Sequence, residues 1–145
     1  MGSGLDSSDQ RLAYALLRMV VGLNLLMHGV IRISTGPSTF AAKMVAQFEH
    51  TLLPTQSVWA FALFLPTVEA FLGLLLLIGL RTRAALIAAS LVIMALTFGS
   101  SVVQDWPVAG LQLTYALAYA ALLFLLRYNG WSLDAWIHRG KSGEL

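Results

Sequence analysis

The chain has 145 residues, of which 58% are hydrophobic and 11% charged, and its mean hydropathy is +0.76. About 25% of residues are charged in a typical soluble domain, so this composition excludes an ordinary soluble globule and predicts a protein solvated by lipid. The net charge of +2 comes from scattered Lys and Arg residues without a basic stripe, and the absence of cysteine excludes disulfides and thiolate metal ligands. We therefore expect no nucleic-acid partner and no thiol chemistry.

Both ends of the sequence are polar. Residues 1–10 lack the basic segment and cleavage site of a secretory signal peptide, so we expect the first apolar run to be retained as a membrane anchor. We interpret residues 1–10 and 139–145 as polar tails and residues 11–138 as a single transmembrane domain.

Four apolar runs cover residues 12–31, 58–80, 84–103 and 108–126. A helix needs about 20 residues to cross the hydrocarbon core, and only a helix satisfies its own backbone hydrogen bonds there. The short links between the last three runs allow only antiparallel hairpins. The sequence therefore predicts an all-α fold: an integral membrane antiparallel bundle of four transmembrane helices.

The long loop between the first two runs carries a helical pattern over residues 39–53. Its apolar residues fall on one face, opposite Lys43, Gln47 and His50, and they are Phe40, Met44, Val45, Phe48 and Leu52. Ser38 or Thr39 is a plausible N-cap, and Pro54 ends the pattern. We predict an amphipathic helix that lies on the membrane surface or caps the bundle.

Basic residues near the span ends predict the orientation. If the N-terminus is cytoplasmic, six basic residues lie on that side, against Arg32 and Lys43 outside, and the six are Arg11, Arg81, Arg83, Arg127, Arg139 and Lys141. The positive-inside rule then favours a multi-pass protein of the cytoplasmic (inner) membrane with both termini in the cytoplasm. The tryptophans agree, because they fall near the span ends.

Two charged residues lie at membrane depth. Arg18 and Glu69 each cost roughly 2.5 to 3.5 kcal/mol at a helix centre on insertion scales, so neither should face lipid. Each has a glycine one turn away, Gly22 and Gly73, and Pro66 precedes Glu69 by one turn. We predict that Arg18 and Glu69 form a pair, which either fixes the helix register or lines a small polar cavity that binds a ligand.

Asn24, His28 and Arg32 form a polar ridge near the other end of the first helix. A haem in a four-helix bundle is commonly held by two histidines at matching depth, but only His28 lies within a predicted span, so we do not expect haem. No Cys, His and carboxylate spacing typical of a metal site is present, and we expect no metal.

Several separated motifs resemble the DoxX family of small four-helix integral membrane proteins. Arg18, Gly22, His28-Gly29 and Arg32 are similar to its first helix, Pro66, Glu69 and Gly73 to its second, and residues 79–83 to its Gly-Leu-x-Thr-Arg turn. The segment 130–134 resembles its terminal Gly-x-Ser-Leu-Asp.

The resemblance implies a membrane subunit of a quinone-linked oxidoreductase system, which binds a quinone-like molecule between the first two transmembrane helices. Electrons would then come from a redox partner protein. The alternative is a non-enzymatic assembly or interaction protein, acting as a chaperone or anchor, and a small-molecule transporter has less support. The sequence leaves open whether the protein is an enzyme and whether it forms a homo-oligomer.

Overall fold

The computed structural model describes residues 7–141; the predicted tails lie partly outside this range, at residues 1–6 and 142–145. Within residues 7–141 the chain forms six α-helices and one 3-10 turn, in this order: α1 (Ser7–Ser34), α2 (Pro37–Gln47), α3 (Thr55–Ile78), α4 (Thr82–Val102), α5 (Trp106–Phe124), the turn Leu126–Tyr128 and α6 (Leu133–Lys141). Residues 7–141 contain no strand, which confirms the predicted all-α fold.

Helices α1, α3, α4 and α5 are long and apolar enough to cross a membrane, so the chain is a multi-pass membrane protein associated with the lipid bilayer. Successive spans run in opposite directions. We call the end that holds the start of α1, the α3–α4 turn and α6 the termini end, and the end that holds α2 and the α4–α5 turn the α2 end.

The core of the bundle is apolar, and so is much of its surface. Leu76, Leu86 and Leu122 are fully buried at the contact of α3, α4 and α5. Large side chains such as Phe64, Leu91 and Leu117 are more than half exposed on the outside. An apolar exterior on the long helices is the surface that a bilayer solvates.

Glycines bring α1 and α3 into close contact. A Cβ at Gly73 would meet the backbone of Leu26, and one at Gly22 would lie 2.6 Å from the backbone nitrogen of Leu77. A Cβ at Gly29 would likewise meet the backbone of Pro66 and Ala70. Only glycine at these positions lets the two backbones approach this closely.

Helix α2 is present but begins and ends earlier than predicted. It starts at Pro37, after Gly36 at φ 96°, and no side chain caps it, so the expected Ser38 or Thr39 cap is wrong. Proline is favoured in the first helical turn, and glycine readily adopts the positive φ that precedes it. Residues 48–53 form turns and bends, and Leu52 is fully exposed rather than part of the apolar face.

Candidate functional site

The buried carboxylate at the centre of α3 pairs with the arginine at the end of α1. Arg32 Nη1 lies 2.5 Å from Glu69 Oε2, and the two side chains are 25% and 3% exposed. The Arg32 guanidinium also stacks over the Phe40 ring of α2, with Cζ 4.5 Å from the ring centroid. One arginine therefore joins α1, α2 and α3 through an ion pair and a cation–π contact.

The predicted pairing of Arg18 with Glu69 is wrong, and the antiparallel register explains why. The glycine contacts place Gly22 beside Gly73 and Leu77, so Arg18, one turn earlier, lies level with Gly79. Glu69 is ten residues from Gly79, which corresponds to about 15 Å along the helix. That distance is too long for one arginine side chain, whereas Arg32 lies within one turn of the level of Glu69.

Arg18 is buried at the termini end instead, where it binds the C-terminal segment. Its Nη1 donates to Asn129 Oδ1 at 3.3 Å and its Nη2 to the Trp131 carbonyl at 2.9 Å. Asn129 Nδ2 in turn donates to Thr82 Oγ1 at 2.9 Å. Arg18 thus fastens the segment after α5 to α1 and to the start of α4.

Asp134 completes this attachment at the α3–α4 turn. Its carboxylate accepts from the backbone nitrogens of Arg81 at 2.7 Å and Thr82 at 2.8 Å, and its own backbone nitrogen donates to the Gly79 carbonyl at 3.0 Å. Arg81 has a positive φ of 47°, an uncommon conformation for a non-glycine residue. The Gly-Leu-x-Thr-Arg turn and the Gly-x-Ser-Leu-Asp segment are therefore parts of one hydrogen-bonded structure.

An inner cavity of about 150 Å³ lies against the ion pair, inside the bundle. Its polar lining comes from α1, α3 and α5 and consists of Asn24, His28, Arg32, Glu69, Gln112, Tyr115 and Tyr119. Leu25, Ala89 and Ile93 supply buried apolar wall. Asn24 and His28 are also exposed on the surface of the bundle, so they form the rim of this cavity.

A larger outer cleft of about 660 Å³ lies at the α2 end between α2, α3, α4 and α5. Its lining is mainly apolar and includes Phe40, Phe48, Phe61 and Phe98. Four residues line both the cleft and the inner cavity: Arg32, Leu96, Val108 and Gln112. The two spaces therefore share a wall, and that wall carries the arginine of the ion pair.

Gln112 gives the shared wall an unsatisfied acceptor. Its Nε2 donates to Ser100 Oγ at 3.0 Å, while its buried Oε1 has no hydrogen-bond partner. A buried polar atom without a partner costs about 1–3 kcal/mol.

The structure brings together part of the predicted site. Asn24, His28, Arg32 and Glu69 surround the inner cavity, whereas Arg18 lies at the opposite end. Gly22, Pro66 and Gly73 belong to the α1–α3 contact and do not line either cavity.

Helix α5 contributes to the site, although none of the predicted site residues lies on it. Gln112, Tyr115 and Tyr119 follow one another at helical spacing and line the cavity. That spacing of polar and aromatic residues was the available signal, but it does not distinguish a cavity wall from ordinary core packing. Phe40 was expected on the apolar face of α2, and its contact with Arg32 could not be seen in the spacing.

Within residues 7–141 no group of three or more His, Cys, Asp or Glu side chains is placed to hold a metal ion. His28 and His50 are both exposed, and His138 belongs to α6. The residues at the cavity are hydrogen-bonding groups of an arginine, a carboxylate, two amides, an imidazole and two phenols. Such a set can hold polar oxygens at one end of an otherwise apolar molecule.

Comparisons with known proteins identify the family. The DoxX sequence pattern matches residues 13–106, a range that contains Arg32, Phe40 and Glu69 but ends before Gln112 and the C-terminal segment. No curated protein and no solved structure matches the chain. Because the pattern covers well over half of the sequence and four helices are long and apolar enough to cross a membrane, this protein belongs to the DoxX family.

Proposed function

We propose that this protein is the membrane subunit of a quinone-linked oxidoreductase system and that it binds a quinone-like molecule at the Arg32–Glu69 pair. The position of that pair, between an inner polar cavity and an outer apolar cleft, is the observation that carries the proposal. The sequence placed the ligand between the first two transmembrane helices; the revised site also includes α4 and α5.

The two spaces match the two chemical parts of such a ligand. A quinone has a polar ring with carbonyl oxygens and, in membranes, an apolar tail. The inner cavity offers donors and acceptors, and the outer cleft offers phenylalanine walls. Pockets that bind small molecules commonly combine apolar walls with a few placed polar groups.

Arg32 and Glu69 have distinct roles in this proposal. The guanidinium donates hydrogen bonds to a ring oxygen, where it favours the negative charge that develops on reduction. The Glu69 carboxylate, beside it, accepts a proton or a hydrogen bond from the ring hydroxyl of the reduced form. Gln112, which lines both spaces, is a further polar side chain on the shared wall.

Electrons are supplied by a partner in this proposal. The chain has no cysteine, so it offers no thiol for a thiol–disulfide relay. We therefore infer that a redox partner protein delivers or removes the electrons, while this subunit positions the quinone. Quinol turnover by the purified, partner-free protein would contradict this division of roles.

We place both termini of the chain in the cytoplasm and the protein in the inner membrane. The basic residues Arg11, Arg81, Arg83, Arg127 and Arg139 belong to the termini end, and Arg32 and Lys43 to the α2 end. The positive-inside rule supports a cytoplasmic termini end. The quinone site then lies in the outer half of the bundle.

Equilibrium binding tests the proposed ligand. Purified protein in lipid nanodiscs is titrated with decylubiquinone by calorimetry, in the wild type and in Glu69→Gln and Gln112→Leu. We expect saturable binding that weakens at least tenfold in Glu69→Gln and severalfold in Gln112→Leu, because each variant removes one polar contact to the ring.

Gln56→Leu is the matched control, since Gln56 is exposed on α3 and lines neither cavity. It should bind as the wild type does. Absence of saturable binding, or equal affinities in all variants, would contradict the quinone proposal and leave the assembly role as the better hypothesis.

A further inference from the structure

We propose that the inner cavity selects headgroups built on a single six-membered ring, so that this protein uses a monocyclic benzoquinone and rejects fused two-ring naphthoquinones. This inference rests on the proposed quinone function and names the class of quinone. It is carried by the size of the inner cavity and by the closed wall behind it.

The inner cavity has room for one ring. Its volume is about 150 Å³, and a cavity of about that volume in another protein binds benzene. A second, fused ring has to be accommodated in the same plane as the first. Protein interiors pack at crystal-like density and resist expansion, so the wall would have to move to admit it.

The end of the cavity away from the rim is closed by packed core residues. Leu25, Ile93 and Tyr119 are 7%, 9% and 3% exposed, and all three belong to the main apolar cluster of the bundle. Ala89, 1% exposed, closes the wall next to them. A ring cannot extend past these residues without displacing the core.

The outer cleft cannot serve as the headgroup site in its place. It is large enough for a bulkier ring, but Glu69, Tyr115 and Tyr119 line only the inner cavity. A headgroup that reaches the Glu69 carboxylate must therefore enter the smaller space. The apolar tail, which the inner cavity has no room for, lies in the outer cleft beyond the four shared residues.

Two quinones with the same decyl tail test the inference. The protein in nanodiscs is titrated with decylplastoquinone, a benzoquinone, and with 2-methyl-3-decyl-1,4-naphthoquinone. We expect the benzoquinone to bind at least tenfold more tightly, in line with the discrimination that a packed pocket exerts on ligand size.

Enlarging the cavity should relax this selectivity. Ile93→Ala removes part of the closed wall, and we expect the two affinities to come within about threefold of each other. Ile87→Ala on the same helix is the matched control, because Ile87 is 45% exposed and lines neither space. If Ile93→Ala does not fold, Val92→Ala enlarges the same cavity from a half-buried position.

The outcomes separate this inference from the proposed function. Equal or tighter binding of the naphthoquinone by the wild type overturns the selectivity while the quinone function stands. Unchanged selectivity in a folded cavity variant contradicts the role of this wall. If neither quinone binds, the proposed function itself fails.

Discussion

Arg32 on α1 donates to Glu69 on α3 with Nη1 2.5 Å from Oε2, while Phe40 on α2 covers the guanidinium. The pair therefore fixes three helices relative to one another at the level where the two cavities meet. The sequence left a structural and a ligand-binding role as alternatives for Glu69. The geometry is compatible with both at once, because the pair is a packing contact and a cavity wall.

Removing only the arginine of the Arg32–Glu69 pair should destabilise the protein more than removing both charges. Arg32→Met leaves the Glu69 carboxylate, 3% exposed, without its cation, and we expect a loss of about 3 kcal/mol in the free energy of unfolding. Arg32→Met combined with Glu69→Leu removes both charges, so it should be closer to the wild type. Thermal unfolding in one detergent measures all three proteins.

The corresponding double substitution at Arg18 serves as the control for that cycle. Arg18 bonds to Asn129 and Trp131, so Arg18→Met should not be rescued by Glu69→Leu. If Glu69→Leu restored the stability of Arg18→Met but not that of Arg32→Met, the result would support the Arg18–Glu69 pairing that the sequence predicted.

The sequence was sufficient to predict the long helices, but it was insufficient to predict which side chains contact one another between them. Hydropathy and length specify a transmembrane span locally, which is why all four spans were predicted. The pairing of Arg18 with Asn129 and Trp131 joins residues more than 100 positions apart. Such contacts depend on the helix register, which the glycine contacts of α1 and α3 set and which hydropathy does not reveal.

The candidate site was predicted in part for the same reason. A charge in the middle of an apolar run is visible in the sequence, so Glu69 was identified as a candidate site residue. Arg32 was identified only as part of a polar ridge. A charge near the end of a span costs little free energy of insertion, so it does not by itself indicate a buried partner. Tyr115 and Tyr119 resemble core residues until the cavity beside them is seen.

A methyl group at Gly73 should separate α1 from α3. Its Cβ would meet the backbone of Leu26 and the Gly22 carbonyl, and backbone atoms cannot move aside as a flexible side chain can. We expect Gly73→Ala to destabilise the protein by about 1–3 kcal/mol, the usual cost of overpacking.

Gly110→Ala is the matched control for Gly73→Ala, because nothing lies within 4 Å of a Cβ at Gly110. This variant should be neutral or slightly stabilising, since alanine is the better helix former. Equal melting temperatures for the two variants would contradict the close α1–α3 contact.

Removing the Asp134 carboxylate should loosen the C-terminal segment. Asp134→Ala leaves the backbone nitrogens of Arg81 and Thr82 without their acceptor, and loss of a helix cap costs about 0.5–2 kcal/mol. We expect faster trypsin cleavage after Arg127, which is exposed.

Asp105→Ala is the control, because it removes the cap of α5 at the α2 end of the bundle. It should leave the rate of cleavage after Arg127 unchanged. Equal acceleration of cleavage by both variants would contradict a local attachment of the C-terminal segment by Asp134.

The orientation can be tested with single cysteines, because the chain contains none. Ser8→Cys lies at the termini end and His50→Cys at the α2 end, and both positions are exposed. If the termini are cytoplasmic, a membrane-impermeant maleimide should label His50→Cys in intact cells, and Ser8→Cys only after the membrane is opened. The cysteine-free parent chain measures background labelling. The reverse labelling pattern would invert the protein in the membrane and place the Arg32–Glu69 cavity in the cytoplasmic half, where a cytoplasmic redox partner would have the shorter path to the quinone.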